Sequence, residues 1–319
     1  MLFVEPNNLL ELEKRLNSIV ERKFSAGSEI VVKLHMGELG NTTYLKPSFA
    51  KTIVKVLNDL NINSFLFDTP VCYSGKRETV EGYKEVAKLH KFTEENIGSP
   101  IIISNDSIKV EMKHLSIEVS THIVKADGMI VLTHVKGHIC SGFGGSIKNL
   151  GMGCLSKETK QAIHDGGSPL VGANCRNCGL CIKTCPMQAI SFKDKLEVNY
   201  EKCCGCSICI LRCPSKALKP KIALFDTLLA EGAYAVIKKQ PNILYINVLQ
   251  NISRLCDCAE HSSEIILDDI GILISDNIIE IDKHSLELIN KKSGKNLFLE
   301  LHNKDPFLHI NEMEKLMKS

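Results

Sequence analysis

The sequence predicts an α/β protein whose mostly parallel sheet has crossover helices and is interrupted by a small inserted α+β domain. Apolar runs typical of strands alternate with segments of helical periodicity at both ends of the chain, as expected for a parallel sheet with crossovers. Between them, eight cysteines repeat one pattern twice within 39 residues. We therefore expect a discontinuous α/β domain, residues 1–170 and 221–319, around a cysteine-rich domain at residues 171–220.

The first half supplies most of the sheet. Leucines at helical spacing in residues 9–16 predict an amphipathic first helix. Pro47 opens another helix, because proline fits the first helical turn. The strands predicted here are 29–34, 64–68, 101–104 and 129–133, and the helices lie within 1–25, 47–58 and 79–90.

The alternation resumes after the cysteines, with a helix at 222–239, a strand at 243–248 and a helix at 282–291. Two small flanking domains would give the same order. The C-terminal part is short for an independent core, which favours one domain split by an insertion.

Each cysteine run has the form Cys-x2-Cys-x2-Cys-x3-Cys-Pro, and residues 173–220 resemble two-cluster bacterial ferredoxins. In such proteins the fourth cysteine of each run ligates the other [4Fe–4S] cluster. This assigns Cys175, Cys178, Cys181 and Cys213 to one cluster, and Cys203, Cys206, Cys209 and Cys185 to the other. Cys204 lies outside the spacing and is expected to be a small packed thiol, while Gly179 and Gly205 would relieve crowding near the clusters.

Zinc and disulfides are the alternatives for so many cysteines. Zinc sites use two CxxC pairs per metal, normally separated by a longer loop, and disulfides require an oxidising compartment. Residues 1–6 have neither a basic start nor an apolar core, so nothing indicates export. Reduced thiols and oxygen-sensitive clusters together predict a cytoplasmic protein.

Composition limits the partners. A net charge of +2 gives no argument for nucleic acid or an acidic membrane surface. No apolar run approaches the ~20 residues that span a bilayer. We expect a redox partner protein and a small-molecule substrate, with no nucleic acid and no membrane.

Residues 133–154 form a second dense segment, with two histidines, two cysteines, two lysines and six glycines. Glycines let backbone N–H groups approach an anion or cofactor, although the phosphate-loop and dinucleotide spacings are absent. The alternative is a glycine-rich connection with hydrogen-bonded histidines and packed cysteines. The predicted pocket has His134, His138 and Lys148 as catalytic residues, and Gly142, Gly144, Gly145, Lys148, Gly151 and Gly153 as cofactor-binding residues.

Two further groups extend this prediction. Ligands in open α/β sheets bind beyond the carboxyl ends of the strands, which would bring together His35, Glu38, Asp68 and His134. A Cys-x-Cys pair near His261 supplies too few ligands alone for a metal. A third metal site is therefore predicted from Cys140, Cys154, Cys256 and Cys258, or from the pair with a histidine elsewhere in the fold, with unliganded loop cysteines as the alternative.

Three motifs carry a family resemblance: Val-Lys-Leu-His-Met-Gly-Glu at 32–38, Phe-Asp-Thr at 67–69 with Tyr73-x-Gly75-x-Arg77, and Gly-His-x3-Gly-Phe-Gly-Gly-x2-Lys-Asn-x-Gly-Met-Gly-Cys at 137–154. In this order they resemble the iron–sulfur-centre proteins of the domain of unknown function 362. The likeness continues through the cysteines to Asp-Ile-Gly-Ile-Leu at 269–273 and Ile-Asp at 281–282. The chain departs from the pattern near its end, where it has no Gly-Leu-Gly segment. The resemblance implies architecture more than a reaction.

A shorter stretch, His138-x3-Gly-Phe-Gly-Gly-x2-Lys148, is similar to lactate racemase-like proteins. There the lysine holds a nickel-pincer cofactor and the histidine lies in the active site. The similarity implies a shared fold and pocket location, without establishing nickel or racemase activity.

The predicted function is an oxidoreductase or electron-transfer protein in which two [4Fe–4S] clusters pass electrons to a ligand in the glycine-rich pocket. An additional metal or small-molecule cofactor would fit the same pocket. The alternatives are a non-catalytic electron carrier or assembly partner, and a non-redox metal enzyme with a structural ferredoxin module. A non-iron metal or a small molecule in the pocket of the purified protein favours an enzyme. A large exposed apolar patch over the glycine-rich segment, with no cavity, favours a docking protein.

Overall fold

The structure is a computed structural model that describes residues 1–318. Its strands, numbered in chain order, are β1 (Leu2–Val4), β2 (Glu29–Lys33), β3 (Asn63–Asp68), β4 (Ile101–Ile103), β5 (Ser107–Glu111), β6 (Ser116–Ser120), β7 (Gly128–His134), β8 (Lys136–His138), β9 (Gly142–Gly144), β10 (Pro169–Val171), β11 (Ile190–Phe192), β12 (Leu196–Val198), β13 (Leu218–Pro220), β14 (Ile243–Leu249), β15 (Ile252–Ser253), β16 (Ile265–Leu267) and β17 (Gly271–Ser275). Its α-helices are α1 (Leu9–Lys23), α2 (Pro47–Asp59), α3 (Val80–Leu89), α4 (Glu94–Ile97), α5 (Thr121–Lys125), α6 (Ser146–Gly153), α7 (Lys157–Gly166), α8 (Leu180–Thr184), α9 (Ile208–Leu211), α10 (Phe225–Lys239), α11 (Ile278–Ser293), α12 (Leu297–His302) and α13 (Leu308–Lys318).

A seven-stranded sheet forms the centre, in the order β1-β17-β14-β7-β2-β3-β4. The five strands from β14 to β4 are parallel, and β17 runs antiparallel between β14 and β1. The predicted α/β class with a mostly parallel sheet is therefore confirmed. Every residue of β14 is buried, as expected for a strand covered on both faces.

The two faces of the sheet hold two separate hydrophobic clusters. Along β7, Met129 and Val131 point into one cluster, which also takes apolar residues of α6, α10 and α11. Ile130 and Leu132 point into the other, with apolar residues of α1, α2 and α3. The alternation follows from the two-residue period of a strand. The functional groups consequently lie where the strands end.

The predicted elements are present, with ends shifted by a few residues; the helix expected at 282–291 is the longer α11. The antiparallel strands β1 and β17, the β5–β6 hairpin and the last two helices were not predicted. The glycine-rich segment is also more regular than a connection, because it forms the β8–β9 hairpin and then α6.

The cysteine-rich segment leaves and re-enters the main body through β10 and β13, which pair antiparallel. Between them lie α8, the β11–β12 hairpin and α9. A small apolar cluster of its own includes Ile190, Leu196 and Leu218 together with cysteines. Within residues 1–318, every helix is too short or too polar to cross a membrane.

Candidate functional site

A cavity of about 140 Å³ opens at the carboxyl ends of β2, β3 and β7. His35, Asp68 and His134 all line it, as the strand order implies for an open parallel sheet. Glu38 lies behind the wall, where its carboxylate accepts a hydrogen bond of 2.8 Å from Arg77 Nε. Arg77 Nη1 in turn lies 2.6 Å from His35 Nε2. The structure thus brings together the four residues predicted at the strand ends.

The first turn of α6 fixes the orientation of the glycine-rich segment. Asp282 of α11 accepts hydrogen bonds from the backbone N–H groups of Ser146 (2.7 Å) and Ile147 (2.8 Å). A carboxylate at this end also complements the helix dipole. Burial raises the pKa of Asp282 to about 6, against the opposing effect of the N–H donors. Asp282 therefore holds the helix that carries Lys148 to the cavity wall.

The glycines predicted to bind a cofactor have different roles. Gly144, Gly145 and Gly153 line the cavity. A Cβ on Gly145 would lie 2.4 Å from Asp282 Oδ1, and one on Gly153 would lie 2.3 Å from Lys33 Nζ, so both glycines admit charged side chains from other elements.

Gly142 and Gly151 lie away from the cavity. Gly142 has a φ of +73° and packs beside the backbone of Lys304 and Pro306. A Cβ on Gly151 would lie 2.4 Å from the carbonyl oxygen of Leu229, so this glycine lets α6 approach α10. The structure therefore does not bring these two glycines to the cavity, and the approach that they permit is between protein backbones.

Positive side chains dominate the cavity lining: Lys33, Arg77, Lys136, Lys148 and Lys160. Three of them have carboxylate partners: Lys33 pairs with Asp68 (3.2 Å), Arg77 with Glu38 and Lys136 with Asp257. Lys160 donates instead to Thr69 Oγ1 (2.6 Å) and to the carbonyl of Pro70 (2.5 Å). The cavity therefore carries more positive than negative charge.

Lys148 differs from the other four cations of the cavity lining. Within residues 1–318 its ammonium makes no hydrogen bond and no ion pair. Burial lowers the pKa of Lys148 to about 8, and the same cause lowers the pKa of Lys136 and of Lys160 to about 8. An unpaired ammonium in a cavity is suited to hold an anionic group.

The two histidines predicted as catalytic differ in what they offer. Both ring nitrogens of His134 are engaged, Nδ1 with the Asp257 carboxylate at 3.0 Å and Nε2 with the Gln250 carbonyl at 2.7 Å. His134 therefore positions Asp257 and has no nitrogen left for a ligand.

His138 is held differently, because its Nδ1 accepts hydrogen bonds of 3.2 Å from the backbone N–H groups of Cys140 and Ser141. An accepting Nδ1 leaves the proton of the neutral ring on Nε2. Burial, followed by the charge of Lys148, holds the pKa of His138 well below its usual range. His138 is thus a neutral N–H donor in the cavity wall.

The ferredoxin-like cysteines form two groups of free thiols around two smaller cavities. Cys175, Cys178, Cys181 and Cys213 line one. Cys185, Cys203, Cys206 and Cys209 line the other, with Cys204 beside them. Each group thus takes three thiols from one run and one from the other. A four-thiol donor set fits an iron–sulfur cluster, and it also fits zinc. We name the group with the exposed Cys178 the outer set and the other the inner set.

The inner set lies against the main cavity. His164 lines that cavity, and its Nδ1 lies 2.7 Å from the carbonyl oxygen of Cys204. Gly205 makes this contact possible: its φ is +64°, and a Cβ there would lie 1.7 Å from the carbonyl oxygen of His164. Gly205 thus relieves crowding against α7, whereas a Cβ on Gly179 would have open space around it.

The predicted third metal group is rearranged. Cys256 and Cys258 line the main cavity and are joined by a disulfide. A group of potential ligand atoms within 4.8 Å of one another joins them to His138 rather than to Cys140 or Cys154. Cys140 contacts the Cys204 carbonyl instead, and Cys154 is buried, which raises its pKa to about 12. The four-cysteine site is therefore not assembled, because Cys140 and Cys154 face other parts of the core; His261 is exposed.

Two solved structures were found similar to this chain, and the first of them shares its fold. A protein from Thermotoga maritima aligns over 92% of this chain and 61% of its own, with a TM-score of 0.51 and 10% identity. The lactate racemase apoprotein from Thermoanaerobacterium thermosaccharolyticum aligns over 88% and 55%, with a TM-score of 0.43 and 13% identity. The chain thus spans about three-fifths or less of either protein. A comparison with curated proteins finds no match.

Residues 30–287 match the family described as Domain of unknown function (DUF362), which covers the parallel sheet, the cavity and the cysteines. Together with the two sets of free cysteines, this match indicates a metal-related protein. The chain belongs to the DUF362 family.

Proposed function

We propose that this chain is an iron–sulfur oxidoreductase that delivers electrons from two [4Fe–4S] clusters to an anionic small molecule in the main cavity. The outer and inner sets would each hold one cluster, in a ferredoxin-like domain of residues 171–220 inserted into the α/β domain of residues 1–170 and 221–319. Bound there, the clusters would supply one-electron transfer at low potential. The rest of the chemistry falls to the side chains of the cavity.

The observation that carries this proposal is the contact between His164 and the inner set. His164 lies in the wall of the main cavity and at the same time touches the backbone of Cys204, between two proposed ligands. Cys206 and Cys209 of the inner set are buried, whereas Cys178 of the outer set is exposed. The outer set would therefore take up electrons at the surface, and the inner set would pass them into the cavity.

The charges of the cavity favour an anionic ligand. Among the described residues, Lys148 has no hydrogen-bond or ion-pair partner and Lys160 has no carboxylate partner, so the cavity holds two ammonium groups without a counter-ion. His138 adds a neutral N–H donor beside them. A small molecule carrying a carboxylate or phosphate would satisfy these groups through charge-assisted hydrogen bonds. In this assignment Lys148 binds the anion and His138 orients it.

The redox partner would be an acidic protein. Residues 171–220 contain eight Lys and Arg residues against three Asp and Glu residues, and all eight are exposed. One of them, Arg176, lines the cavity of the outer set, where electrons would enter. Complementary charge raises the rate of association between redox partners and makes it sensitive to salt.

The other functions have less support. A docking protein without turnover would present an apolar patch at the glycine-rich segment, and that segment lines a charged cavity instead. A non-redox metal enzyme would make the contact between the inner set and the cavity incidental. Both remain outcomes of the following experiment.

The test first measures the iron content and then the response of the clusters to anions added to the cavity. Anaerobically purified protein should hold about eight irons per chain, and two zincs with little iron would reject the clusters. Cys178→Ser and Cys209→Ser should each remove one of two electron paramagnetic resonance signals after dithionite reduction. Oxalate and inorganic phosphate are then added as anionic probes.

Either probe should perturb the signal that survives in Cys178→Ser, which comes from the inner set, and leave the signal in Cys209→Ser unchanged. Lys148→Met should abolish the perturbation, and Lys125→Met, an exposed lysine on α5, should retain it. A signal that ignores both anions in Cys178→Ser would reject the link between the inner set and the cavity.

A further inference from the structure

Cys256 and Cys258 are anchored in the cavity wall by the residue between them. Asp257 is buried, and its carboxylate contacts Lys136 Nζ and His134 Nδ1. These contacts attach the loop between β15 and β16 to the carboxyl end of β7 and the start of β8. Both cysteines are partly exposed and line the cavity. Their sulfurs are therefore open to a ligand but fixed in position.

We infer that Cys256 and Cys258 are a redox-active dithiol–disulfide couple inside the cavity, which exchanges electrons with the iron–sulfur centres of the cysteine sets. The inference rests on the proposed function. The S–S bond takes up two electrons and two protons and becomes two thiols, and the electrons arrive one at a time from the reduced iron–sulfur centres. When the pair is oxidised again, it passes these two electrons and two protons to a substrate that a dithiol can reduce.

The surroundings suit this chemistry. Both sulfurs lie within 4.8 Å of a ring nitrogen of His138. Lys148 and Lys136 line the same cavity, and nearby ammonium groups favour the thiolate over the thiol. Burial lowers the pKa of Lys148 to about 8, so its ammonium can give up a proton near neutral pH. Electron uptake and proton uptake can therefore occur in one place.

The alternative is a metal ion bound by His138, Cys256 and Cys258. The hydrogen bonds of His138 argue against it. A histidine that ligates a metal through one nitrogen almost always donates the N–H of the other. The Nδ1 of His138 instead accepts two backbone N–H groups, so Nε2 keeps its proton and has no lone pair for a metal. Ligation would need the opposite tautomer, in which Nδ1–H faces two further N–H groups and has Ser141 Oγ, at 3.0 Å, as its one acceptor among these contacts.

The eight cysteines of the two sets remain free, and within residues 1–318 the pair is the one disulfide. Its redox state can therefore be read separately. Anaerobic holoprotein is equilibrated over a series of potentials with redox dyes, quenched in acid, denatured, alkylated with N-ethylmaleimide and digested. The peptide containing both cysteines should change from no label to two labels, with a tenfold change in the ratio per about 30 mV, as expected for two electrons.

Kinetics test the source of the electrons. With photoreduced deazaflavin as the donor, Cys209→Ser should label the pair about tenfold more slowly than the wild type, because the inner set no longer mediates. Dithiothreitol, which reduces a disulfide directly, should still give two labels in that variant. Equal rates in both proteins would contradict the inference.

Other results would also overturn it. If the clusters bleach and the peptide stays unlabelled, the couple does not exchange electrons with them, and the proposed function survives. A stoichiometric third metal that Cys256→Ser releases without loss of iron would establish the metal site instead. Protein without iron would reject the proposed function itself, and the iron count made at the start separates that failure from the others.

Discussion

Lys304 joins the cavity wall, the inner cysteine set and α10, and its removal should destabilise all three. It lies between α12 and α13 and is 2% exposed. Its ammonium pairs with Asp226 of α10 at 2.8 Å. It also donates to the carbonyl of Cys206, at 2.8 Å, and to that of Cys140. We expect Lys304→Met, which keeps the length of the side chain, to leave the Asp226 carboxylate buried without a counter-ion.

The expected loss of unfolding free energy is about 3–5 kcal/mol, the usual effect of removing one partner of a buried ion pair. The effect should depend on pH. Burial raises the pKa of Asp226 although Lys304 opposes it, so without Lys304 that pKa rises further. A buried carboxyl whose pKa is raised by folding costs no stability below its unfolded pKa of about 4, because it is protonated in both states. The free energy of unfolding is lost as the pH rises through the folded pKa. The variant should therefore be closer to the wild type in acid than at pH 8.

Urea unfolding under argon, followed by far-ultraviolet circular dichroism, measures this loss, and iron release in parallel reports the inner set. The double variant Lys304→Met, Asp226→Leu provides the control, since replacing both partners of a buried pair by apolar residues is often neutral. A single variant within about 1 kcal/mol of the wild type would refute the reasoning. So would a double variant less stable than the single one.

Three further predictions concern the cavity. Binding of oxalate should weaken as the pH rises through about 8, because Lys148 loses its charge there, and calorimetry of Lys148→Met should show weaker binding with a flatter pH profile. Gly145→Ala should lower stability by about 1 kcal/mol or more, as for a lost helix cap, whereas Gly144→Ala, whose Cβ would meet atoms no closer than 3.7 Å, should be near neutral in urea unfolding. The Asp282 carboxyl, with a pKa raised to about 6 by burial, should contribute stability that is complete below about pH 4 and lost as the pH rises through 6, and Asp282→Asn should remove that dependence.

The sequence was most informative where one local signal decides the structure. The apolar run of β14 and the spacing of α2 needed no distant partner to be recognised. The edge strand β1 and its neighbour β17 have only three and five residues, and their pairing joins the two ends of the chain. Cysteine spacing assigned two thiol sets, and the structure groups the same residues around two cavities.

Long-range contacts account for what the sequence did not show. Asp282 caps α6 from more than 130 positions away, and Lys304 reaches Cys140 from 164 positions away. Asp282 belongs to the Ile-Asp pair of the family resemblance and Lys304 to no motif, but neither position indicates which distant segment it contacts, so the support of Lys148 and of the inner set could not be found locally. The position of Cys140 away from Cys256 is also a packing outcome, since spacing alone left both available as ligands.

The glycine-rich segment shows why such a motif is a poor guide to what contacts a ligand. Gly145 makes room for the Asp282 carboxylate, Gly153 for the Lys33 ammonium and Gly151 for the α10 backbone. In each case the neighbour is another part of the protein and not the space that a ligand would fill. In the proposed function, recognition of a ligand would therefore depend on the ammonium group of Lys148 and the N–H donor of His138. An alanine at Gly145 would weaken binding only indirectly, by moving α6, so its effect on affinity should follow its effect on stability, whereas Lys148→Met should separate the two.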